Sequence, residues 1–234
     1  MKLKKFVTPQ TKAIVLCSPN NPTGRVCQAE ELQAIAEVAC ERDLLIFSDE
    51  IYERIIFDDF KHISPASLPD LKDRVVTLNG FSKAHAMAGW RLGYVAAAPD
   101  LMRQMAKVQQ HILNCATSFV QSAALTALDC EADVSRMCQE YAERRQYFVQ
   151  ALNEIPCITC RAPQGAFYVL PQIDYRGMDS LALSEYLLKE GHVAAAPGDP
   201  SAGALKIVSA CLLQRPWKSC RKRSAVCSAF YSKE

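Results

Sequence analysis

The chain has 234 residues, of which half are hydrophobic, and its formal net charge at pH 7 is +2. This length allows one large domain or two smaller ones with a buried core. The small net charge indicates neither nucleic acid nor an acidic partner, and no apolar run approaches the roughly 18 residues of a membrane span. The basic start of the chain lacks the apolar stretch of a signal peptide, so we expect a cytoplasmic protein.

The cysteines give no sign of a disulfide framework or a metal site. There are eleven of them, scattered and odd in number, so reduced thiols are expected. Cys157 and Cys160 form one C-x-x-C pair without an evident second pair, and the four histidines are dispersed. We therefore predict no metal.

The first elements predict an α/β fold. Ala13–Cys17 is a short apolar run that reads as a strand and ends in a cluster of turn residues. A helical periodicity follows over residues 28–42, and residues 44–47 read as a buried strand. Strand, helix and strand in this order indicate a βαβ unit and a mostly parallel sheet.

Polar side chains follow three successive strands of this predicted sheet. Asn21 comes after the first strand, Asp49 and Tyr52 after the second, and Lys83 after a third at residues 74–78. A further strand is predicted at residues 90–97. Ligands of parallel α/β sheets bind beyond the carboxyl ends of the strands, so we expect these four side chains to converge at one edge.

The second half of the chain is mainly helical in pattern. Helices are predicted from Pro99 onward, over residues 119–128 and over residues 131–153. Beyond them we expect strands near residues 158–160 and 165–170, a helix over residues 180–190 and a strand at residues 192–195. The apolar stripe of the first of these helices, which we expect to be core, consists of Leu101, Met105 and Val108. A change in composition near Cys130 predicts two domains, residues 1–130 and a small α+β domain of residues 131–234.

Lys83 and Arg91 form the combination that pyridoxal phosphate (PLP) requires. A lysine with a lowered pKa is a nucleophile that forms a Schiff base with an aldehyde. Arginine binds phosphate through paired N–H donors. Asp49 is suited to the pyridine nitrogen of PLP, and Asn21 and Tyr52 to its 3-hydroxyl. Taken singly, each residue also has a structural explanation, such as a turn, a helix cap or a surface position.

Three motifs resemble those of the class I and II aminotransferases, which are PLP-dependent enzymes of fold type I. The motifs are Ser18-Pro19-Asn20-Asn21-Pro22-Thr23-Gly24, Asp49-Glu50-Ile51-Tyr52, and Ser82-Lys83 with Gly89-Trp90-Arg91-Leu92-Gly93. The resemblance implies a partial large PLP-binding domain, followed by a small C-terminal domain. It implies a homodimer that transfers an amino group from an amino acid to a 2-oxo acid.

The resemblance also implies roles for individual residues. Lys83 is the Schiff-base lysine and Asp49 the partner of the ring nitrogen. Asn21 and Tyr52 contact the 3-hydroxyl, with Asn21 also on the substrate side, and Arg91 binds the phosphate. Ser82 is a weaker candidate for the phosphate. Some family members have a phosphate-binding serine three residues before the lysine, but that position is Gly80 here, so the role is not assigned to it.

Two regions depart from the family pattern. The family has a substantial N-terminal portion before the strand at Ala13, which carries further strands, a phosphate-binding turn and an aromatic ring stacked on PLP. In this chain that portion is expected to be missing, so the sheet should show unpaired edges and exposed apolar faces.

Near the C-terminus, the family expects a Phe-Gly turn and an Arg-Ile/Leu-Ser strand that binds the substrate carboxylate. Reading the codons of residues 201–204 one nucleotide earlier can give Phe-Gly-Gly-Gly, and those of residues 210–212 can give Arg-Leu-Ser. We therefore hypothesise a frameshift near Pro200 that leaves residues 201–234 out of frame. The alternative is a divergent tail in which Lys206 replaces the arginine, although lysine cannot make its bidentate contact.

Two other functions stay open at this point. A PLP-dependent lyase or decarboxylase of the same fold would use the same lysine and aspartate. An inactive remnant, or a binding protein, would fit a chain that lacks part of the pocket.

Overall fold

The computed structural model describes residues 3–198 and the backbone of residues 208–209. Within these residues the chain forms two compact units. The first holds the chain up to Pro19 together with Val26–Ser135, and the second holds Asn20–Arg25 and the described residues from Arg136 onward. The predicted domain boundary near Cys130 stays a prediction.

A four-stranded mixed sheet is the centre of the first unit. Its strands, in spatial order, are β1 (Ala13–Cys17), β2 (Leu45–Asp49), β3 (Val75–Gly80) and β4 (Gly93–Ala96). The pairs β1–β2 and β2–β3 are parallel, whereas β3–β4 is antiparallel. The α/β class and the mostly parallel sheet are therefore confirmed.

Helix α1 (Ala29–Glu41) connects β1 to β2 and supplies one side of the core. It begins where the Glu31 carboxylate accepts a hydrogen bond of 3.1 Å from the backbone N–H of Gln28. Ala39 on the helix is fully buried in one cluster with Leu44 and Ile46. Burying such aliphatic side chains stabilises the βαβ unit by about 1.5–3 kcal/mol for each large one.

The two outer strands of the sheet carry exposed apolar side chains. Val15 on β1 is 80% exposed and Tyr94 on β4 is 48% exposed. Each outer strand has a neighbour on one side only among the described residues. Both edges of this sheet are thus unpaired within the described part of the chain.

The remaining helices are α2 (Pro99–Ile112), α3 (Ser118–Leu128), α4 (Glu131–Asn153) and α5 (Ser180–Lys189). Short 3₁₀ turns occur at Leu3–Lys5, Pro65–Ser67 and Ala88–Trp90. None of the helices in residues 3–198 combines the length and the hydropathy needed to cross a membrane.

The expectation that the α2 stripe is core was wrong for this chain. No residue of α2 is buried, and Val108 is 61% exposed. Leu101 and Met105 are only partly buried. The helix has the amphipathic pattern of a packed helix, but no described segment buries its apolar stripe completely.

The second unit is small and contains two short antiparallel pairs. Strand β5 (Ile158–Thr159) pairs with β6 (Gln172–Ile173), and β7 (Ala196–Pro197) pairs with β8 (Val208–Ser209). Ile173 and Leu183 form its buried cluster with α5. The strand expected at residues 192–195 was placed too early, since the chain pairs only from Ala196. Apart from Val208–Ser209, the frameshift hypothesis concerns residues outside the described part.

Candidate active site

Strands β1, β2 and β3 end side by side at one edge of the sheet. Cys17 lies opposite Asp49 in the β1–β2 register, and Asp49 lies opposite Leu78 in the β2–β3 register. Asp49 is the last residue of β2, not a residue beyond it as the sequence suggested. The carboxyl ends of parallel strands form the usual ligand edge of an α/β sheet, and Asp49 stands directly on it.

Backbone and side-chain bonds hold Asp49 at this edge. Its carbonyl oxygen accepts a hydrogen bond of 3.1 Å from the N–H of Ser18, the residue that follows β1. Its side-chain Oδ1 accepts a bond of 3.1 Å from the N–H of Ile51. The second contact turns the carboxylate back over the turn that follows β2, which restricts its rotamers. Asp49 is half-buried, so a ligand can still reach it.

Tyr52 and Lys83 come together although 31 positions separate them in the chain. The ammonium nitrogen of Lys83 lies 5.4 Å from the centroid of the Tyr52 ring. This is within the range in which an ammonium group is attracted to the face of an aromatic ring. Tyr52 is only 3% exposed, so its ring is a fixed surface against which the lysine is placed.

The turn that carries Ser82 and Lys83 is closed by its own backbone. The N–H of Ala86 donates to the carbonyl of Lys83 at 3.1 Å, and the N–H of Met87 donates to that of Phe81 at 3.1 Å. Ala86 has a φ of 54°, a left-handed conformation that non-glycine residues adopt rarely. Because such backbone is found where the surroundings determine it, the turn holds the lysine in a defined place.

Arg91 lies in the same unit, at the end of the 3₁₀ turn Ala88–Trp90. Its φ is 56° and its ψ is 45°, so the backbone is left-handed here too. One guanidinium nitrogen, Nη1, donates to the carbonyl of Ala88 at 2.8 Å, which orients the side chain. The side chain is exposed, and an arginine has five N–H donors, so others can bind an anion.

Asn21 belongs to the other compact unit. It lies in the turn Asn20–Arg25, where Asn20 Oδ1 accepts bonds of 3.2 Å and 2.7 Å from the N–H and the hydroxyl of Thr23. Gly24 has a φ of 66° and packs so closely on Pro163 that a side chain there would collide with it. Asn21 itself is exposed. Its convergence with Lys83 stays a prediction.

A buried cluster that the sequence did not predict lies beside this edge. Glu50 is 2% exposed and accepts hydrogen bonds from His62 and Ser64. The available signal was a carboxylate placed between Asp49 and Tyr52, where the chain leaves a buried strand. A charged side chain at such a position is almost never fully buried unless it is paired.

His85 is a second residue near the lysine to which no role was given. Its ring lies 5.2 Å from that of Phe81, centroid to centroid. Burial lowers the pKa of His85, and the positive charge of Arg54 acts in the same direction. The imidazole therefore favours its neutral form at neutral pH.

Comparison with known protein families identifies a matching family model. The model describes aminotransferase class I and II and matches residues 2–211 of the chain. It covers all three of the motifs on which the resemblance was based.

Curated relatives agree with this match. An aspartate aminotransferase of Pyrococcus abyssi is 46% identical over 200 residues, which are 84% of this chain and 51% of the relative. An aromatic-amino-acid aminotransferase of Thermococcus litoralis is 42% identical over 200 residues, with the same shares. The chain thus spans about half the length of the curated relatives it matches.

Solved structures show the same likeness. The aromatic aminotransferase of Pyrococcus horikoshii superposes with a TM-score of 0.94 and 38% identity, covering 99% of this chain and 63% of that one. The aspartate aminotransferase of Thermotoga maritima superposes with a TM-score of 0.88 and 30% identity, covering 99% and 59%.

Proposed function

Given that this chain belongs to the aminotransferase class I and II family, we propose that it provides the lysine-bearing part of a PLP-dependent aminotransferase. The enzyme transfers an amino group from an amino acid to a 2-oxo acid. The observation that supports this most directly is the placement of Lys83 against Tyr52, on the turn that follows β3, beside the strand that ends at Asp49.

The side chains of the first unit fit PLP in their chemistry. Lys83 offers the amine for the aldehyde and Asp49 the carboxylate for the pyridine nitrogen. Tyr52 offers a hydroxyl for the 3-hydroxyl group, and Ser82 and Arg91 offer a hydroxyl and a guanidinium for the phosphate. All five belong to one compact unit. Asn21 would add a second contact to the 3-hydroxyl and one to the substrate.

These residues have separate tasks in the reaction. Bound PLP supplies an electron-accepting ring that stabilises negative charge at the substrate α-carbon. The Asp49 carboxylate holds a proton at the pyridine nitrogen. Once the amino acid has replaced it on the cofactor's aldehyde carbon, the free Lys83 amine would take the proton from the substrate α-carbon as general base and deliver it to the former aldehyde carbon as general acid. Arg91 and Tyr52 orient the ring between these two groups.

The names of the relatives suggest which donors to test. Two of them are named for aspartate and for aromatic amino acids, so both classes belong in an assay with a 2-oxo acid acceptor. Formation of the matching 2-oxo acid indicates transamination. Release of carbon dioxide or of a side-chain fragment would instead indicate the lyase or decarboxylase. The cytoplasmic location and the homodimer stay predictions.

Covalent trapping tests the proposal without relying on turnover. The purified chain is incubated with PLP and reduced with sodium borohydride, which fixes the cofactor to the lysine that carries it. Peptide mass spectrometry should then find one pyridoxyl phosphate on Lys83. The Lys83→Ala variant should lose the label, whereas Lys72→Ala, a change at an exposed lysine, should keep it. A folded wild type without label at Lys83 would favour the inactive remnant.

A further inference from the structure

Glu50 is a buried carboxylate to which the proposed function gives no task. Among residues 3–198 it is the only acidic or basic residue that is buried, with 2% of its surface exposed. Moving an ionised carboxylate out of water is costly unless hydrogen bonds replace the lost hydration. A buried charge between Asp49 and Tyr52 therefore needs a structural reason.

Both carboxylate oxygens of Glu50 are occupied. Its Oε2 lies 2.8 Å from Nε2 of His62, and its Oε1 accepts a bond of 2.8 Å from the hydroxyl of Ser64. Burial alone would raise the pKa of Glu50, but the hydrogen bonds from His62 and Ser64 outweigh it and hold the pKa below its ordinary value. The carboxylate is thus the stable form in place.

The backbone of Glu50 also forms hydrogen bonds, to other segments of the chain than its side chain does. Its N–H donates to the carbonyl of Leu78 on β3 at 2.9 Å, and its own carbonyl accepts from the N–H of Glu53 at 2.9 Å. The carbonyl of Tyr52 accepts from the N–H of Ile55 at 2.8 Å. Glu50 therefore joins three pieces of chain: the end of β3, the turn after β2, and the loop with His62 and Ser64.

We propose that Glu50 is a positioning residue that holds Asp49 and Tyr52 toward the cofactor by anchoring their turn to His62 and Ser64. This inference rests on the proposed function, because it assigns Asp49 and Tyr52 to PLP. Asp49 precedes the anchor by one residue and Tyr52 follows it by two. A displacement of Glu50 therefore moves the Asp49 carboxylate and the Tyr52 phenol together.

A divalent cation is the competing explanation for this cluster. The ligand atoms of Glu50, Glu53 and His62 lie within 4.8 Å of one another. However, His62 Nε2 already contacts Glu50 directly, and its Nδ1 has no hydrogen-bond partner among the described residues. A metal-bound histidine almost always donates its second N–H to an acceptor. The arrangement therefore favours the hydrogen-bonded anchor.

The test compares Glu50→Gln with Glu53→Gln in the full chain. Glu53→Gln is the matched control. It removes a neighbouring carboxylate that is not one of the Glu50–His62–Ser64 contacts but is one of the three candidate metal ligands. The readouts are the PLP concentration that half-saturates borohydride trapping at Lys83 and the pH titration of the absorbance of bound PLP. Circular dichroism confirms that each variant is folded.

We expect Glu50→Gln to weaken PLP binding by about tenfold, within the range by which members of one hydrogen-bond network couple. We also expect it to shift the absorbance titration, since Asp49 and Tyr52 then face the ring differently. Glu53→Gln should match the wild type in both. Ser64→Ala removes one anchor bond only and should produce a smaller change in the same direction, which covers the case that Glu50→Gln does not fold.

The outcomes separate the two proposals. A wild type without label at Lys83 overturns the proposed function and this inference with it. A labelled wild type whose folded Glu50→Gln or Ser64→Ala variant binds PLP with unchanged affinity and titration overturns this inference alone. Zinc or manganese that raises the melting temperature of the wild type, but not of Glu53→Gln, also overturns it in favour of a metal site.

Discussion

The ammonium nitrogen of Lys83 lies 5.4 Å from the centre of the Tyr52 ring, so the side chain after β3 rests on the side chain after β2. The ring is 3% exposed and the lysine is half-buried. This contact links two of the motifs that sequence alone could only place on neighbouring strands.

Two substitutions at Tyr52 should distinguish the contribution of its ring to stability from that of its hydroxyl. Tyr52→Ala removes a buried ring and should lower the free energy of unfolding by about 3–5 kcal/mol, as for other buried aromatic residues. Tyr52→Phe keeps the ring beneath Lys83 and should cost about 1 kcal/mol or less, the range of one hydrogen bond. Urea unfolding at pH 7 measures both. Equal losses in the two variants would contradict a structural role for the ring.

Gly80 should not tolerate any side chain. A Cβ at this position would lie 2.8 Å from the Cα of Gly93 and 2.9 Å from the carbonyl oxygen of Leu92, both backbone atoms of the adjoining β4 segment. Gly80→Ala must therefore separate β3 from β4, at an expected cost of about 1–3 kcal/mol.

Gly89→Ala is the matched control for this change, because no atom lies within 4 Å of the added Cβ. Thermal unfolding of the two variants should show a lower melting temperature for Gly80→Ala only. If both behaved like the wild type, the close approach of the strands would be wrong.

The contribution of Glu50 to stability should depend on pH with a definite sign. Its pKa in the folded chain is below the ordinary value of 4.5, so the folded state binds this proton less tightly than the unfolded state. The contribution is therefore fully present above about pH 4.5 and is lost as the pH falls through the lower, folded value.

At pH 7 we expect Glu50→Gln to cost about 2 kcal/mol, the scale of hydrogen bonds to a charged group. The difference from the wild type should shrink below pH 4.5, which urea unfolding at several pH values can measure. Glu37→Gln, at an exposed position on α1, should show little difference at any pH. A Glu50→Gln difference that grows toward acid would contradict the assigned pKa direction.

Cys160 should react with alkylating agents more slowly than Cys40 and Cys115. Burial raises the pKa of its thiol to about 11, and the side chain is 5% exposed. Cys40 and Cys115 are exposed. Since the thiolate is the reactive form, iodoacetamide at pH 8 should label Cys40 and Cys115 first. Peptide mass spectrometry at several times gives the rates, and equal rates would mean that Cys160 is not buried.

The frameshift hypothesis makes a prediction about the gene. An insertion or deletion near the codon for Pro200 should, when corrected, restore a Phe-Gly turn and an Arg-Leu-Ser segment. Sequencing both strands of the gene through this region tests it. An intact reading frame with no such segment in another frame would leave the divergent tail as the explanation.

The sequence by itself determined the elements that local patterns encode. Ala13–Cys17 and α4 have the bounds that periodicity predicts, and the turn residues after β1 correctly predicted the break before α1. The order of strand, helix and strand was enough for a parallel sheet, because a right-handed crossover leaves few alternatives. The residue types at the strand ends also led to the prediction of PLP chemistry, and the roles of these residues stay predictions.

The tertiary structure decided which side chains meet. Glu50 is separated from His62 by twelve positions and Tyr52 from Lys83 by 31, so no local period relates them; the folded chain brings each pair into contact. It also decided that Gly80 must be glycine, because the backbone of the neighbouring strand at Gly93 leaves no room for a side chain. Hydrophobic periodicity reports that a helix has an apolar face but not whether another segment covers it, as Val108 on α2 shows.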